Sequence, residues 1–178
     1  MRQLVEEKGA DGFSISEAAR RAGVSSAAPY RHFHDRTEIV RAVALEGMLR
    51  LGTAMEVAAA NANFAEFKKI NAIGKAYVDF ARNEPGVFRL MFGLTEGHRG
   101  DPEMEETGRK TYGVLVREVT ASLPPDTAEE EVWRRSYMLW TFVHGHSFLQ
   151  IDEKVHVANI QASEDLMLAD LSKRILGH

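Results

Sequence analysis

The chain is 178 residues long, 44% hydrophobic and 27% charged, with a formal net charge of −4 and no cysteine. That apolar content supports one large or two small packed units and excludes disorder; the missing cysteines exclude disulfides, thiolate nucleophiles and Cys-ligated zinc, which fits a reducing cytoplasm. The opening MRQLVEEKGADG has no apolar segment of signal-peptide type, and no apolar run reaches the roughly 18 residues of a membrane span, so the expectation is a cytoplasmic chain with no membrane contact.

Residues 1–50 carry eight Lys/Arg against seven acids, and residues 51–178 carry 14 against 19. A polyanion would therefore meet the first stretch. Ser14-Ile15-Ser16-Glu17 then fits a capping box, and the helix ISEAARRA ends at Gly23, the residue best able to turn left-handed. Ser25 is placed to cap a second short helix, SAAPYRHF, with Pro29 in its first turn. Asp35-Arg36-Thr37-Glu38 repeats the capping pattern and opens a long helix through TEIVRAVALEGMLRLGTAMEVAAA, with Ile39, Val43, Gly47 and Leu51 on one face. Two short helices joined by a Gly turn, then a long one, is the helix-turn-helix arrangement, whose second helix enters the DNA major groove. Ser25 and Ser26 offer donors at that helix's start, Ala27 and Ala28 are small enough to approach base edges, and Tyr30, Arg31 and His32 reach phosphates or bases. The spacing also suits an ordinary helical hairpin with solvated arginines.

The remainder is helical too, so the fold class is all-α. NFAEFKKINAIGKAYVDFARNE puts Phe67, Ile70, Gly74, Tyr77 and Ala81 on one face, and Pro85 stops it and starts PGVFRLMFGL, a short buried helix. TEGHRGDPEME reads as a loop, MEETGRKTYGVLVREVTASL as an amphipathic helix, and PPDTAEEE as a proline stop before acidic first-turn residues. EVWRRSYMLWTFVHGHSFLQ has two occupied faces, Tyr137/Trp140/Thr141/His144/Phe148 and Leu139/Val143/Ser147/Gln150, and so serves two neighbours. With Met167, Leu168, Leu171 and Ile175 of the last helix, Leu139 and Val143 form apolar stripes that a monomer would expose, which predicts a homodimer. His144 and His146 point about 200° apart on a helix, so they do not chelate one ion, and no metal or cofactor is expected. No Gly-rich phosphate loop, Ser elbow or paired carboxylates support an enzyme, and no catalytic residue is assigned.

The stretch GFSISEAARRAGVSSAAPYRHFHDRTEIVRAV resembles the DNA-binding head of TetR/AcrR-type transcriptional regulators, with matching residues at Ser14, Ala19, Ala22, Gly23, Val24, Ser25, Tyr30, His32, Phe33, Arg36 and Ile39. The resemblance implies a three-helix DNA-binding domain over 1–50, with Ser14, Tyr30, His32 and Arg36 on phosphates and Ser16, Ser26, Ala27, Ala28 and Arg31 facing bases. Ala27-Ala28-Pro29 replaces the family's usual Gly-x-Leu, and the family's first helix begins before the position of Met1. Further on, Trp140-x-x-x-His144-Gly145 and EPGVFRLMFG resemble a Trp-His-Gly class of C-terminal domain, over about 64–176. That resemblance implies a ligand-binding and dimerisation domain over 51–178. Its effector pocket would take Tyr137, Trp140, His144 and Phe148 from one helix, with Tyr77, Phe88, Met91, Phe92 and Tyr112 as further walls. The expected partners are double-stranded operator DNA, a small-molecule effector and a second copy of the chain, and the expected function is a repressor released from its operator by the effector. The rival readings are a helical protein-interaction module and a regulator that has lost DNA binding.

Overall fold

The structure, a computed structural model, describes residues 1–12, 14–62, 67–93, 101–155 and 163–177, without the side chains of 10 and 11. Among these residues there are eight α-helices, one 3-10 turn and no strand. Contacts divide the chain into two compact units, Met1–Leu49 with Glu84–Thr107, and Arg50–Asn83 with Gly108–His178. A division at residue 50 follows chain order; in space, residues 84–107 group with the first stretch.

The first unit opens with α1 (Arg2–Gly12), whose helical run breaks at Gly9, where φ is +72°. Leu4 and Val5 are fully buried, so even two turns of this helix contribute core. Next comes α2 (Ile15–Arg21), capped by Ser14, whose hydroxyl oxygen accepts from the Glu17 N–H at 3.4 Å. At its far end Gly23 takes φ +70°, the Gly23 N–H reaches the Arg20 carbonyl, and the Val24 N–H reaches the Ala19 carbonyl, a paired closure that satisfies the last free carbonyls.

The second short helix is the first correction. SAAPYRHF forms no α-helix, but a turn from Ser25 and a 3-10 turn at Pro29–Arg31. Pro29 has no N–H to give the Ser25 carbonyl, so the Ala28 N–H takes that acceptor one residue early, at 3.0 Å, and the tighter i to i+3 pattern continues through Arg31 and His32.

The long helix α3 (Arg36–Asn61) begins as expected: Asp35 accepts from the Glu38 N–H at 2.9 Å, while the Glu38 carboxylate reaches back to the His34 N–H at 2.6 Å. Its Ile39, Val43, Gly47 and Leu51 are all buried. Helix α4 (Lys68–Asn83) buries Ile70, Gly74, Tyr77 and Ala81; Phe67, expected on that face, precedes the helix with φ +56°. Residues 63–66 of that expected helix lie outside the described residues, as do 94 of the expected short helix, 95–100 of the expected loop and 159–162 of the expected last helix.

Glu84 alone separates α4 from α5 (Pro85–Phe92), the short buried helix, with Val87 and Phe88 fully enclosed. At Gly47 of α3 a Cβ would stand 2.5 Å from Val87 Cγ1 and 2.7 Å from Met91 Sδ, so a larger residue there would force those side chains of α5 to shift. Helix α6 (Pro102–Ala121) starts two residues inside the expected loop, because Asp101-Pro102 is a cap followed by a helix-first proline. Asp101 accepts from the N–H groups of Glu103 and Met104 at 3.0 and 3.2 Å and pairs with the Arg41 guanidinium of α3 through both oxygens.

The Arg41 pairing, aided by those two N–H groups, lowers the Asp101 carboxyl from its ordinary 3.8 to about 2. A depressed folded value means that the stabilisation is complete above the ordinary value and is lost as pH falls through the window toward 2. Asp101→Asn should therefore remove part of the drop in melting temperature between about pH 4 and about pH 2. Parallel acid profiles for the two proteins would show that this ion pair gives no stability.

In the second unit, α7 (Glu129–Ile151) and α8 (Glu164–Leu176) pack on α4. A Cβ on Gly74 would lie 3.2 Å from Leu168 Cδ2 and 3.4 Å from Val143 Cγ1, which marks a close three-helix junction. Glu164, in the first turn of α8, binds Arg82 of α4 at 2.6 Å and His146 of α7 at 3.3 Å. Leu139, Val143 and Leu168 are 4%, 7% and 4% exposed within one chain. They are therefore internal packing residues rather than the exposed stripe expected of a dimer face. Met167, Leu171 and Ile175 are half-buried. Among the large apolar side chains that do stand exposed in this unit are Met138 and Leu149 on α7 and Leu166 on α8.

Candidate nucleic-acid interface and effector face

The capped α2, its left-handed closure and the 3-10 turn bring the polar residues of the first unit to the surface. Ser14, Ser16, Ser26, Ala27, Tyr30, Arg31, His32 and Arg36 are exposed, and Ala28 is half-buried. Tyr30 stands 52% exposed, so its phenol is a surface donor and not a core group. Phe33 is half-buried.

Not every cation of this unit faces outward for a ligand. Arg21 is held by Glu7 at 2.8 Å and Glu17 at 2.9 Å, and Lys8 by Glu17 at 2.5 Å. Those bonds, led by the one from Lys8, hold the Glu17 carboxyl below its usual range. Arg20, Arg31 and Arg36, like Arg21, are exposed to solvent. Arg20, in the last turn of α2 and one residue before the ion-paired Arg21, is a further surface cation that the sequence pattern does not single out.

In the second unit, α7 presents an aromatic line. Trp140 is half-buried against Tyr112 of α6, with ring centres 5.5 Å apart, and against His144 at 5.5 Å; His144 in turn meets Phe148 edge-on at 5.1 Å. Tyr77 of α4 closes the inner side. Its Oη lies 2.8 Å from His144 Nδ1 and accepts the Trp140 indole N–H at 3.3 Å. The indole can only donate, so the Tyr77 oxygen is its acceptor, and the same oxygen shares a hydrogen bond with His144 Nδ1.

Burial pushes the Tyr77 phenol well above its ordinary 10, against the opposing pull of the Trp140 bond, and pushes the His144 imidazole below 6.5. Both groups are therefore neutral at pH 7. The assembly is an uncharged hydrogen-bonded group among half-buried aromatic rings, the mixture of apolar wall and few fixed polar atoms that suits a small organic ligand.

Four of the expected pocket residues, Tyr77, Trp140, His144 and Phe148, meet in this cluster, and Tyr112 joins through Trp140. Tyr137 touches the Trp140 ring but is 60% exposed, so it stands at the edge of the cluster. Phe88, Met91 and Phe92 belong to the first unit. Phe88 is 0% exposed, its ring is 4.9 Å from that of Phe92, and Met91 abuts Gly47. Trp133 was missed: it stacks on Tyr112 at 5.8 Å and an interplanar angle of 26°, 45% exposed. Its signal is plain in retrospect, since Trp133, Tyr137 and Trp140 follow i, i+4, i+7 spacing.

Among the described residues no group of His, Asp or Glu side chains is arranged to hold a metal ion, and no helix is long and apolar enough to cross a membrane.

Residues 2–43 match the family described as bacterial regulatory proteins, tetR family, and residues 70–171 match the tetracyclin repressor-like, C-terminal domain. One similar solved structure is that of a protein with unknown function from Rhodococcus sp. RHA1, 27% identical with a TM-score of 0.79, the match covering 98% of this chain and 88% of that one. Another is SCO4313, a candidate regulatory protein, 20% identical with a TM-score of 0.74 and coverage of 99% and 95%, a likeness that bears on the fold alone. No curated protein matches the chain.

Proposed function

Because the chain belongs to the TetR family of bacterial regulatory proteins, we propose that it is a homodimeric repressor whose operator is released when a small molecule occupies the Trp140/His144 face. The observation that carries the reading is the exposed donor set of the first unit: Ser16, Ser26, Tyr30, Arg31 and Arg36 all reach the surface around one capped helix and its turn. Hydroxyls and guanidinium groups are donors matched to phosphate oxygens and base edges, and Arg36 in the first turn of α3 adds to the anion-attracting end of that helix. A DNA partner places the protein in the cytoplasm and requires no catalytic residue.

A second copy is supported by Met138, Leu149 and Leu166, exposed at 43%, 48% and 70%. On α7 the first two flank Gly145, where a Cβ would meet nothing within 4 Å and a partner helix could approach closely. Two heads related by a two-fold axis then read successive major grooves, about 34–36 Å apart. Effector binding at the aromatic face would alter that spacing and release the DNA.

The test is a gel shift with duplex DNA from upstream of the protein's own gene, over a range of salt. Tyr30→Ala and Arg36→Ala should each weaken binding to all sequences alike, and Arg36→Ala should reduce the slope of log affinity against log salt by about one. An unchanged slope removes Arg36 from the phosphate contacts. The 3-10 turn in place of a reading helix favours one rival, a helical module that binds a protein and no DNA. Wild-type protein that shifts no duplex in this assay would establish that rival.

A further inference from the structure

Helix α4 carries Lys68, Asn71, Ala72 and Lys75 at i, i+3, i+4 and i+7, a spacing that gathers them on one face. With Ala62, the residue after α3, and with Asp165 and Leu168 of α8, they line a cavity of about 490 Å³. That volume lies inside the range of small-molecule sites, roughly 300–1,000 Å³. None of its lining residues belongs to the Trp140/His144 face, so the cavity is a separate place in the second unit.

Three contacts between α4 and α8 fix which end of the cavity is which. Glu164 binds Arg82 at 2.6 Å, Leu168 packs over Gly74, and the Ser172 hydroxyl donates to Asn71 Oδ1 at 2.6 Å. The two helices therefore run antiparallel. Asp165 lies toward the Lys75 end, and Lys68 stands seven residues away, about 10 Å along the axis of α4.

The two ends differ in charge. Lys75 is already paired with Asp79 at 3.1 Å and stands 3.9 Å from Glu164. Lys68 is exposed and in no ion pair among the described residues, and one turn along the helix the Asn71 amide adds an NH2 donor. A Lys68 end rich in donors thus faces, across the apolar Ala62, Ala72 and Leu168, an end that carries the Asp165 carboxylate. The cationic end also runs against its surroundings, since residues 51–178 hold 14 Lys/Arg against 19 acids.

We propose that this cavity is a second ligand site, which takes an organic monocarboxylate with an apolar body. Its carboxylate accepts from the Lys68 ammonium and the Asn71 NH2, a charge-assisted pairing, and its body covers Ala62, Ala72 and Leu168 and removes them from water. Asp165 repels a second anionic group at the far end, which selects against dicarboxylates. Such a ligand bridges α4 and α8. Its binding does not depend on the chain's meeting DNA.

The test is calorimetric titration of the full chain with octanoate, beside octylamine and octanedioate, which keep the eight-carbon body and change the charged ends. Octanoate should bind at one site per chain. Octylamine and octanedioate should each bind at least about tenfold more weakly, the discrimination expected of one charge-assisted hydrogen bond. Lys68→Gln has no ion pair to lose, so it should keep the melting temperature and weaken octanoate by about tenfold or more. In nuclear magnetic resonance spectra octanoate should shift the Asn71 side-chain amide and leave the Trp140 indole N–H in place. The proposal is overturned if octanoate fails to bind at millimolar concentration, if octylamine or octanedioate binds as tightly, if Lys68→Gln binds octanoate like wild type, or if the shift appears at Trp140 and not at Asn71.

Discussion

Phe88→Ala should destabilise the protein by about 3–5 kcal/mol and abolish duplex binding under conditions where wild type still binds. Phe88 is 0% exposed, and α5 around it also encloses Val87 and Leu90. Removing the ring leaves a cavity in a closely packed region, where Gly47 of α3 already meets the Val87 and Met91 side chains. Because residues 84–107 belong to the compact unit that holds the DNA-binding segment, the two losses should appear together. The resemblance had suggested Phe88 as a pocket wall. Were it one, truncation would enlarge the pocket, change the effector response and leave the melting temperature within a few degrees. A denaturant melt and a gel shift on the same sample decide between these outcomes.

The second large effect is a contrast between neighbours on α8. Leu168→Glu should cost about 3–5 kcal/mol, because it places a carboxylate in the close-packed junction of α4, α7 and α8, against Gly74 and Val143. Leu166→Glu, two residues away, should change the melting temperature little. Leu166 is 70% exposed in one chain and meets water there, whereas Leu168 is 4% exposed. In sedimentation, Leu166→Glu should convert a dimer at micromolar concentration to monomers that remain folded. If wild type is already monomeric, the two-fold operator model falls. If both variants melt like wild type, the α4–α7–α8 junction is not the core of its unit.

The contrast between Leu166 and Leu168 also marks the boundary of what the sequence could say. Periodicity identifies both α7 and α8 and shows that each has more than one apolar face, but it does not say which face meets the chain's own α4 and which meets a second copy. That choice is made at Gly74, where the absence of a Cβ lets Leu168 and Val143 settle on α4 and leaves Met138, Leu149 and Leu166 outside. The aromatic face was more legible. Trp140, His144 and Phe148 are bound to share a side by helical spacing alone, whereas Tyr77 as the third member of their hydrogen-bonded group depends on the packing of a helix more than sixty residues away.

The sequence by itself determined the elements that close within a turn or two: the Ser14 and Asp35 caps, the Gly23 closure, the proline that separates α4 from α5, and hence an all-helical chain with a helix-turn-helix-like start. These rest on backbone hydrogen bonds between residues three to five apart, so local composition suffices. Pro29 shows the limit even there: its missing N–H was legible, but the resulting 3-10 turn was decided by which acceptor the neighbouring N–H groups took. Only the tertiary structure decided that 84–107 joins the first unit, that Glu6 caps α5 and that Arg41 binds Asp101. Each of these joins groups sixty to eighty positions apart, and a lone carboxylate or arginine in a helix carries no mark of a distant partner. Its partner is fixed by helix crossings, which the shapes of buried side chains and a few glycines set.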